Sequence, residues 1–232
     1  MTTFAERVIS FYKTIDFKGS LPEGIRIMNP FKEDENILPL AAAFYNKYYN
    51  DHKKRFLILG INPGRFGGGV TGIPFTDSKR LIDKCALPYA GKATHEPSSV
   101  FIYEMMDAYG GTEKFYEKFY INSLCPLGFT APGKNGKEIN YNYYDSKALT
   151  DAVYDFIKSN IQTQIDLGID TDICFCFGNG KNEKFLRKLN EENKFFRKIV
   201  ALEHPRFIVQ YKSKEKQLYI DKYLSAFNSV DE

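Results

Sequence analysis

The sequence predicts an α/β fold: a three-layer sandwich with a central, mainly parallel sheet of four strands covered on both faces by helices. Three observations carry this. Four short apolar runs alternate with longer segments of helical periodicity. The runs are nearly continuous in apolar residues, as in strands buried on both faces. Glycines, amides and a histidine follow the runs, and open parallel sheets keep their ligands beyond the carboxyl ends of their strands.

In chain order, residues 3–16 place Phe4, Val8, Ile9, Tyr12 and Ile15 at helical spacing. Residues 36–49 form a second predicted helix, with Pro39 in the first turn, where a missing N–H costs little. Residues 55–59 are the first strand. Helices are predicted over 78–85 and 98–109, the latter capped by Ser98 or Ser99. Residues 119–124 are the second strand, followed by a long loop to Asp145. An amphipathic helix over 146–167 is stopped by Gly168. Residues 172–177 are the third strand, 181–191 a helix, 198–202 the fourth strand and 213–227 the last helix. No repeat, low-complexity tract or linker intervenes, so residues 1–232 are read as one domain.

Composition narrows the class. The chain is 43% hydrophobic and 26% charged, the balance of an ordinary globular protein. A formal net charge of +3 permits an anionic partner without arguing for one, so any case for nucleic acid rests on local charge. Cys85, Cys125, Cys174 and Cys176 match no zinc or iron–sulfur spacing and read as buried thiols of a reducing compartment. The N-terminus carries no apolar segment of signal length and no run of about 18 apolar residues occurs, so a cytoplasmic protein without a membrane partner is expected.

The first strand empties into Gly60-Ile61-Asn62-Pro63-Gly64-Arg65-Phe66-Gly67, then Thr71-Gly72-Ile73-Pro74-Phe75. Glycines let a backbone approach another body closely and prolines stiffen what lies beside them. Asn62 has a carboxamide able to hold a water but not to act as a base; on local sequence alone, a turn cap before Pro63 is the plainer reading. His204, at the end of the fourth strand, is placed to donate to an oxygen that gains charge, or else simply to orient the Pro205 turn. Phe66 and Phe75 offer faces for a planar ring, though phenylalanine is more often core. The stretch 206–216 has four basic residues and one acidic among apolar ones, the composition of a phosphate-holding loop or of a solvated face. The glycine run fits neither a Walker loop nor a dinucleotide fingerprint. No cofactor or metal is expected.

With these residues assembled, the chain resembles the uracil-DNA glycosylase superfamily, and most closely its SMUG-type branch. The glycine segment through Phe75 is similar to that branch's first motif, Asn122-Ser123-Leu124-Cys125-Pro126-Leu127 to its base-recognition strand, and His204-Pro205 to the start of its second motif. The resemblance implies a monofunctional hydrolase acting on uracil, and on other deaminated bases such as xanthine or hypoxanthine, flipped from single- or double-stranded DNA. By the same resemblance Asn62 positions the attacking water, His204 stabilises the departing base, Phe75 stacks on it and Asn122 reads its edge. Backbone amides of Ile61 and Phe66 help hold base or water. Gly64, Arg65, Arg206, Phe207 and Lys212 are the expected contacts to the DNA backbone and the wedge. The branch usually continues its second motif as His-Pro-Ser, whereas here Arg206 and Phe207 follow Pro205. Asp77 is read as a helix cap ahead of any role in assisting water. A monomer is expected. The competing reading is a binding module for nucleic acid or a modified base that keeps the pocket without catalysis; a hydrolase of free nucleosides is a third.

Overall fold

A computed structural model describes residues 2–230. Strands β2 (Arg55–Gly60), β3 (Phe119–Ser123), β6 (Ile169–Phe177) and β7 (Lys198–Leu202) form one parallel sheet in the order β3-β2-β6-β7. The predicted layers are present, and all four strands run the same way. Leu57, Ile58, Leu59, Phe119, Tyr120, Cys174, Phe175, Cys176 and Phe177 are buried, which is why these segments read as unbroken apolar runs. The chain enters the sheet at β2, crosses to β3 on one side and later returns to β6 on the other. That reversal makes the carboxyl end of β2 the switch point, where such sheets open a crevice.

Most predicted helices stand within a residue or two of expectation. Phe4–Thr14 begins at a Thr3/Glu6 capping box, and Lys147–Asp166 is capped by Ser146. Pro97–Tyr109 starts ahead of both serines, so neither caps it; Ser99 instead donates to the Asp77 carboxylate. The last helix is Lys216–Asn228, preceded by a 3₁₀ turn at Ser213–Glu215. The four cysteines are free and buried, and burial pushes the Cys125 and Cys176 thiols up to about 12. No helix among the described residues is long and apolar enough to cross a membrane.

Two expectations are corrected. The long loop to Asp145 contains a hairpin, β4 (Gly128–Pro132) and β5 (Glu138–Tyr141), which joins β1 (Arg26–Met28) in a small antiparallel sheet of order β1-β4-β5. The basic stretch after His204 is not a single loop either. Its first part, with Arg206, belongs to the helix Pro205–Tyr211, which has His204 as N-cap and Pro205 at the first position, where its fixed φ suits a helix. Lys212 and Lys214 lie in the short turn that follows.

Arg55, at the start of β2, is fully buried. Its guanidinium donates to Tyr116 O at 3.1 Å, to Lys53 O at 2.9 Å and to both Asp51 oxygens at 2.6 and 2.8 Å. It also lies 4.9 Å from the ring centroids of both Phe4 and Tyr49, tying the first helix to the sheet. Removing one partner of such a group orphans the carbonyls it served, at about 1–3 kcal/mol each. Arg55→Leu is expected to lower the urea unfolding free energy by at least about 2 kcal/mol; an unchanged denaturation midpoint would show that the cluster contributes nothing net.

Candidate active site

At the switch point Gly60 ends β2 and the chain turns away over the tips of the sheet. A cavity of about 270 Å³ opens there, lined by Ile61, Asn62, Gly64, Phe75, Glu96 and His204 among others. Residues from the ends of β2, β3 and β7 thus share one hollow, although about 140 positions separate Asn62 from His204.

Asn62 is held at both ends of its carboxamide. Nδ2 donates to Tyr141 O at 3.2 Å, and Oδ1 accepts from the Tyr143 N–H at 3.1 Å. Both partners lie at or just beyond the end of β5, so the small sheet fixes the orientation of this amide. Oδ1 retains a second lone pair, which is what a carboxamide needs to hold a water by one of its hydrogens.

His204 is oriented from the other side. Its Nδ1 accepts the Arg206 N–H at 3.1 Å, an N-cap bond, which leaves the proton on Nε2. Burial, and next the Arg206 charge, hold the ring down to about 4, so it is neutral at physiological pH. A neutral imidazole presenting Nε2–H donates to a developing anion without needing to be charged first.

Phe75 completes this wall. Its ring centroid lies 5.7 Å from that of His204 and meets Phe177 edge-on at 5.6 Å. Its φ of +53° is in the left-handed region, uncommon for a bulky residue and characteristic of functional sites. A Cβ on Gly60 would sit 2.8 Å from the Phe75 ring, so the strand must end in glycine for the ring to lie where it does.

The remaining expected residues divide. Ile61, Gly64, Arg206 and Phe207 line the cavity. Phe66 does not: it is 44% exposed on the far side of the glycine segment, with the Arg65 guanidinium 4.3 Å above its ring, and both border a neighbouring hollow. Asn122 is buried, donating to Tyr120 OH at 3.0 Å and accepting from the Ser123 N–H at 2.8 Å. It borders a small hollow behind Pro63, Gly68 and Pro74, and in the main cavity β3 is represented by Ser123. Lys212 lies outside the lining and pairs with Glu215 at 2.9 Å. Asp77 is a helix cap: its carboxylate accepts from the Arg80 N–H at 2.9 Å and the Glu96 N–H at 2.7 Å.

Several lining residues had no forewarning, namely Glu96, Asn140, Asn142 and Tyr144. The last three follow from the missed hairpin, whose signal was Asn135-Gly136, with Gly136 at φ +69° between strands.

The Uracil DNA glycosylase superfamily model matches residues 46–228, and the chain belongs to that superfamily. No curated protein matches it. Among solved structures, the crystal structure of wild-type Pedobacter heparinus SMUG2 is 66% identical and superposes with a TM-score of 0.97, over 100% of this chain and 99% of that one. Within the superfamily this chain is therefore of the SMUG type.

The tautomer and charge of His204 are open to direct measurement. Nitrogen NMR of the imidazole is expected to show a bare Nδ1, a protonated Nε2 and no titration between pH 8 and about 5, since the ring is held down to about 4. An unfolded imidazole takes its proton near about 6.5. The unfolded state therefore binds more protons between the two values, so the stability from burying the neutral ring is full above about 6.5 and lost as pH falls towards about 4. A ring titrating near 6.5 in the folded protein would contradict this.

Proposed function

We propose that this protein is a monofunctional DNA glycosylase that hydrolyses the N-glycosidic bond of uracil flipped out of DNA, as in base excision repair, with other deaminated bases such as xanthine and hypoxanthine as further substrates. The observation that carries the reading is the joint presence of a clamped carboxamide and a neutral imidazole in one cavity at the sheet's switch point. Family membership supports the reaction class.

The chemistry follows from the charges. As the C1′–N1 bond breaks, its electron pair moves into the base and positive character grows on the sugar. The Nε2–H of His204 donates to the base oxygen that gains charge, a contribution worth most where water is excluded. Asn62 holds water at the sugar, where little nucleophilic push is needed. Phe75 stacks on the extruded base, and stacking, worth on the order of 1–3 kcal/mol per base, offsets part of the few kcal/mol that flipping costs. Arg206 and Phe207 line the same cavity and are exposed, which supports their contact with the strand from which the base is drawn. The protein acts as a monomer on this reading.

Asn62→Ala and His204→Ala are each expected to cut release of uracil from a labelled oligonucleotide by about 10²–10³, with far-ultraviolet dichroism unchanged. Alkaline scission at the abasic site reads the turnover, and full activity in both variants would remove these roles. A pure binding module would bind the oligonucleotide and yield no scission even as wild type.

The phosphate contacts are separable by salt. Lys212 and Lys216 are engaged with Glu215 and Glu104, whereas no ion pair to Arg206 occurs among the described residues. Arg206→Ala is therefore expected to reduce the slope of log affinity against log salt by about 0.7–0.9, and Lys212→Ala to leave it nearly unchanged. The reverse ordering would move the interface towards the lysines.

A further inference from the structure

Glu96 is the group in the cavity that this account leaves unused. Its backbone is pinned: the N–H donates to Asp77 Oδ2 at 2.7 Å, and its carbonyl accepts from Ser99 Oγ at 2.8 Å. The side chain turns into the cavity and lies over the glycine segment. A Cβ on Gly67 would overlap the carboxylate, and one on Gly64 would sit 3.2 Å from Oε1. The residue as a whole is partly exposed, yet Oε2 is cut off from water and has no hydrogen-bond partner. A polar atom left unsatisfied in this way is costly and asks for an explanation, and nothing in the packing of the fold supplies one.

Its position suggests which reactant it meets. The same Gly64 Cβ would lie 3.4 Å from Asn140 Nδ2, so across the bare glycine the carboxyl faces the amide wall built by β5. Asn140 and Tyr141 are consecutive there, and Tyr141 O is what holds the Asn62 amide. Glu96 thus lies across the glycine segment from the wall that orients the Asn62 amide, the group assigned above to holding the water.

We propose that Glu96 is the proton acceptor for the attacking water, a catalytic residue beyond Asn62 and His204; this rests on the glycosylase reading above. The step balances. The water oxygen bonds to C1′, the C1′–N1 bond breaks with its electron pair passing to the base, His204 Nε2–H holds the resulting anion, and the proton lost by the water moves to the Glu96 carboxylate. Proton release to solvent and protonation of the freed base restore the start.

The protonation state suits the role. Burial first, and then the Asp77 charge, raise the Glu96 carboxyl to about 7, while Arg206 opposes the rise. The charged groups around it are Asp77, paired with Arg80 at the start of the Ser78–Asp83 helix, and Arg206 on the Pro205–Tyr211 helix. The glycine segment and Asn140 contribute no charge, and His204 is neutral. A base whose value lies near the working pH is available as carboxylate and still basic enough to take a proton.

The test is the pH dependence of single-turnover uracil release, compared between wild type and Glu96→Gln. The wild-type rate is expected to rise about tenfold per pH unit up to about 7 and then level. In E96Q the limb disappears and the plateau falls by about 10²–10³, while affinity for an oligonucleotide carrying hydrolysis-resistant 2′-fluoro-deoxyuridine stays within about twofold. A variant that keeps the limb or the wild-type plateau overturns the inference, as does one whose loss of rate merely tracks a loss of affinity. If E96Q fails to fold, Glu96→Asp decides: a lowered rate with a displaced limb supports the role and an unaltered profile overturns it. Wild-type protein inert on uracil-DNA at every pH removes the glycosylase reading and this inference with it, whereas active wild type beside an unaffected E96Q removes this inference alone.

Discussion

The site depends on the two hydrogen bonds that hold the Asn62 carboxamide to the backbone at Tyr141 and Tyr143. A side-chain amide on a glycine-rich turn has free rotamers and would lose entropy on holding a water; clamped at both ends, it has already lost them during folding. The clamp also explains the second sheet. Of its three short strands β4 puts Phe129 into the core, whereas the side chains of Glu138–Tyr141 are half-buried or exposed. What β5 supplies is a fixed backbone carbonyl at the cavity wall, with a fixed N–H just beyond the strand's end. The cavity is thus built by both sheets, with the parallel one delivering Asn62 and His204 and the antiparallel one setting the angle of the Asn62 amide.

Burial acts on the two ionisable groups of the cavity in one direction, towards the uncharged form. It lowers His204 to about 4 and raises Glu96 to about 7, because desolvation penalises a cation and an anion alike. Arg206 pulls both values down, disfavouring an imidazolium and favouring a carboxylate. The outcome at neutral pH is an uncharged imidazole, a carboxyl poised between its two forms and the Arg206 cation at the rim. On the proposed reading, a permanently charged imidazolium would hold the neutral base and its anion with less difference between them. Differential stabilisation is what accelerates a reaction, and neutral donors aimed at the nascent charge provide it.

How much of this was readable from the residues depends on whether the determining pattern is local. The parallel sheet is legible because strands covered on both faces must be apolar throughout, and the site is legible because strand ends in such a sheet point to one crevice. Asn62 and His204 each follow a strand by two residues. The antiparallel sheet escapes because β1 has three residues and the alternation of β5 spans only four, too short to detect as a period; the Asn135-Gly136 turn marks it. The helix after His204 was hidden by a rule read one way, since proline both ends helices and starts them, and Pro205 does the latter. The ring of Phe66 faces away from the cavity because neighbours on a turn need not face the same side. Glu96 had no signal at all: its place over Gly64 and Gly67 is a product of how the Asp77 cap draws residue 96 against the glycine segment.

Phe75 shows how the same glycines serve stacking. A phenylalanine at φ +53° costs on the order of 1–3 kcal/mol, and the contacts that hold it are few: Phe177 at one edge and His204 beside it. Pro74 fixes the chain before it, and Gly60 leaves room for the ring to pack on the core against the end of β2. The ring is then flat, apolar and already beside the His204 imidazole. On the proposed reading, stacking on a ring already in place needs no rearrangement and so sets more of its contribution against the cost of flipping, and the glycine at the end of β2 is what leaves room for that ring.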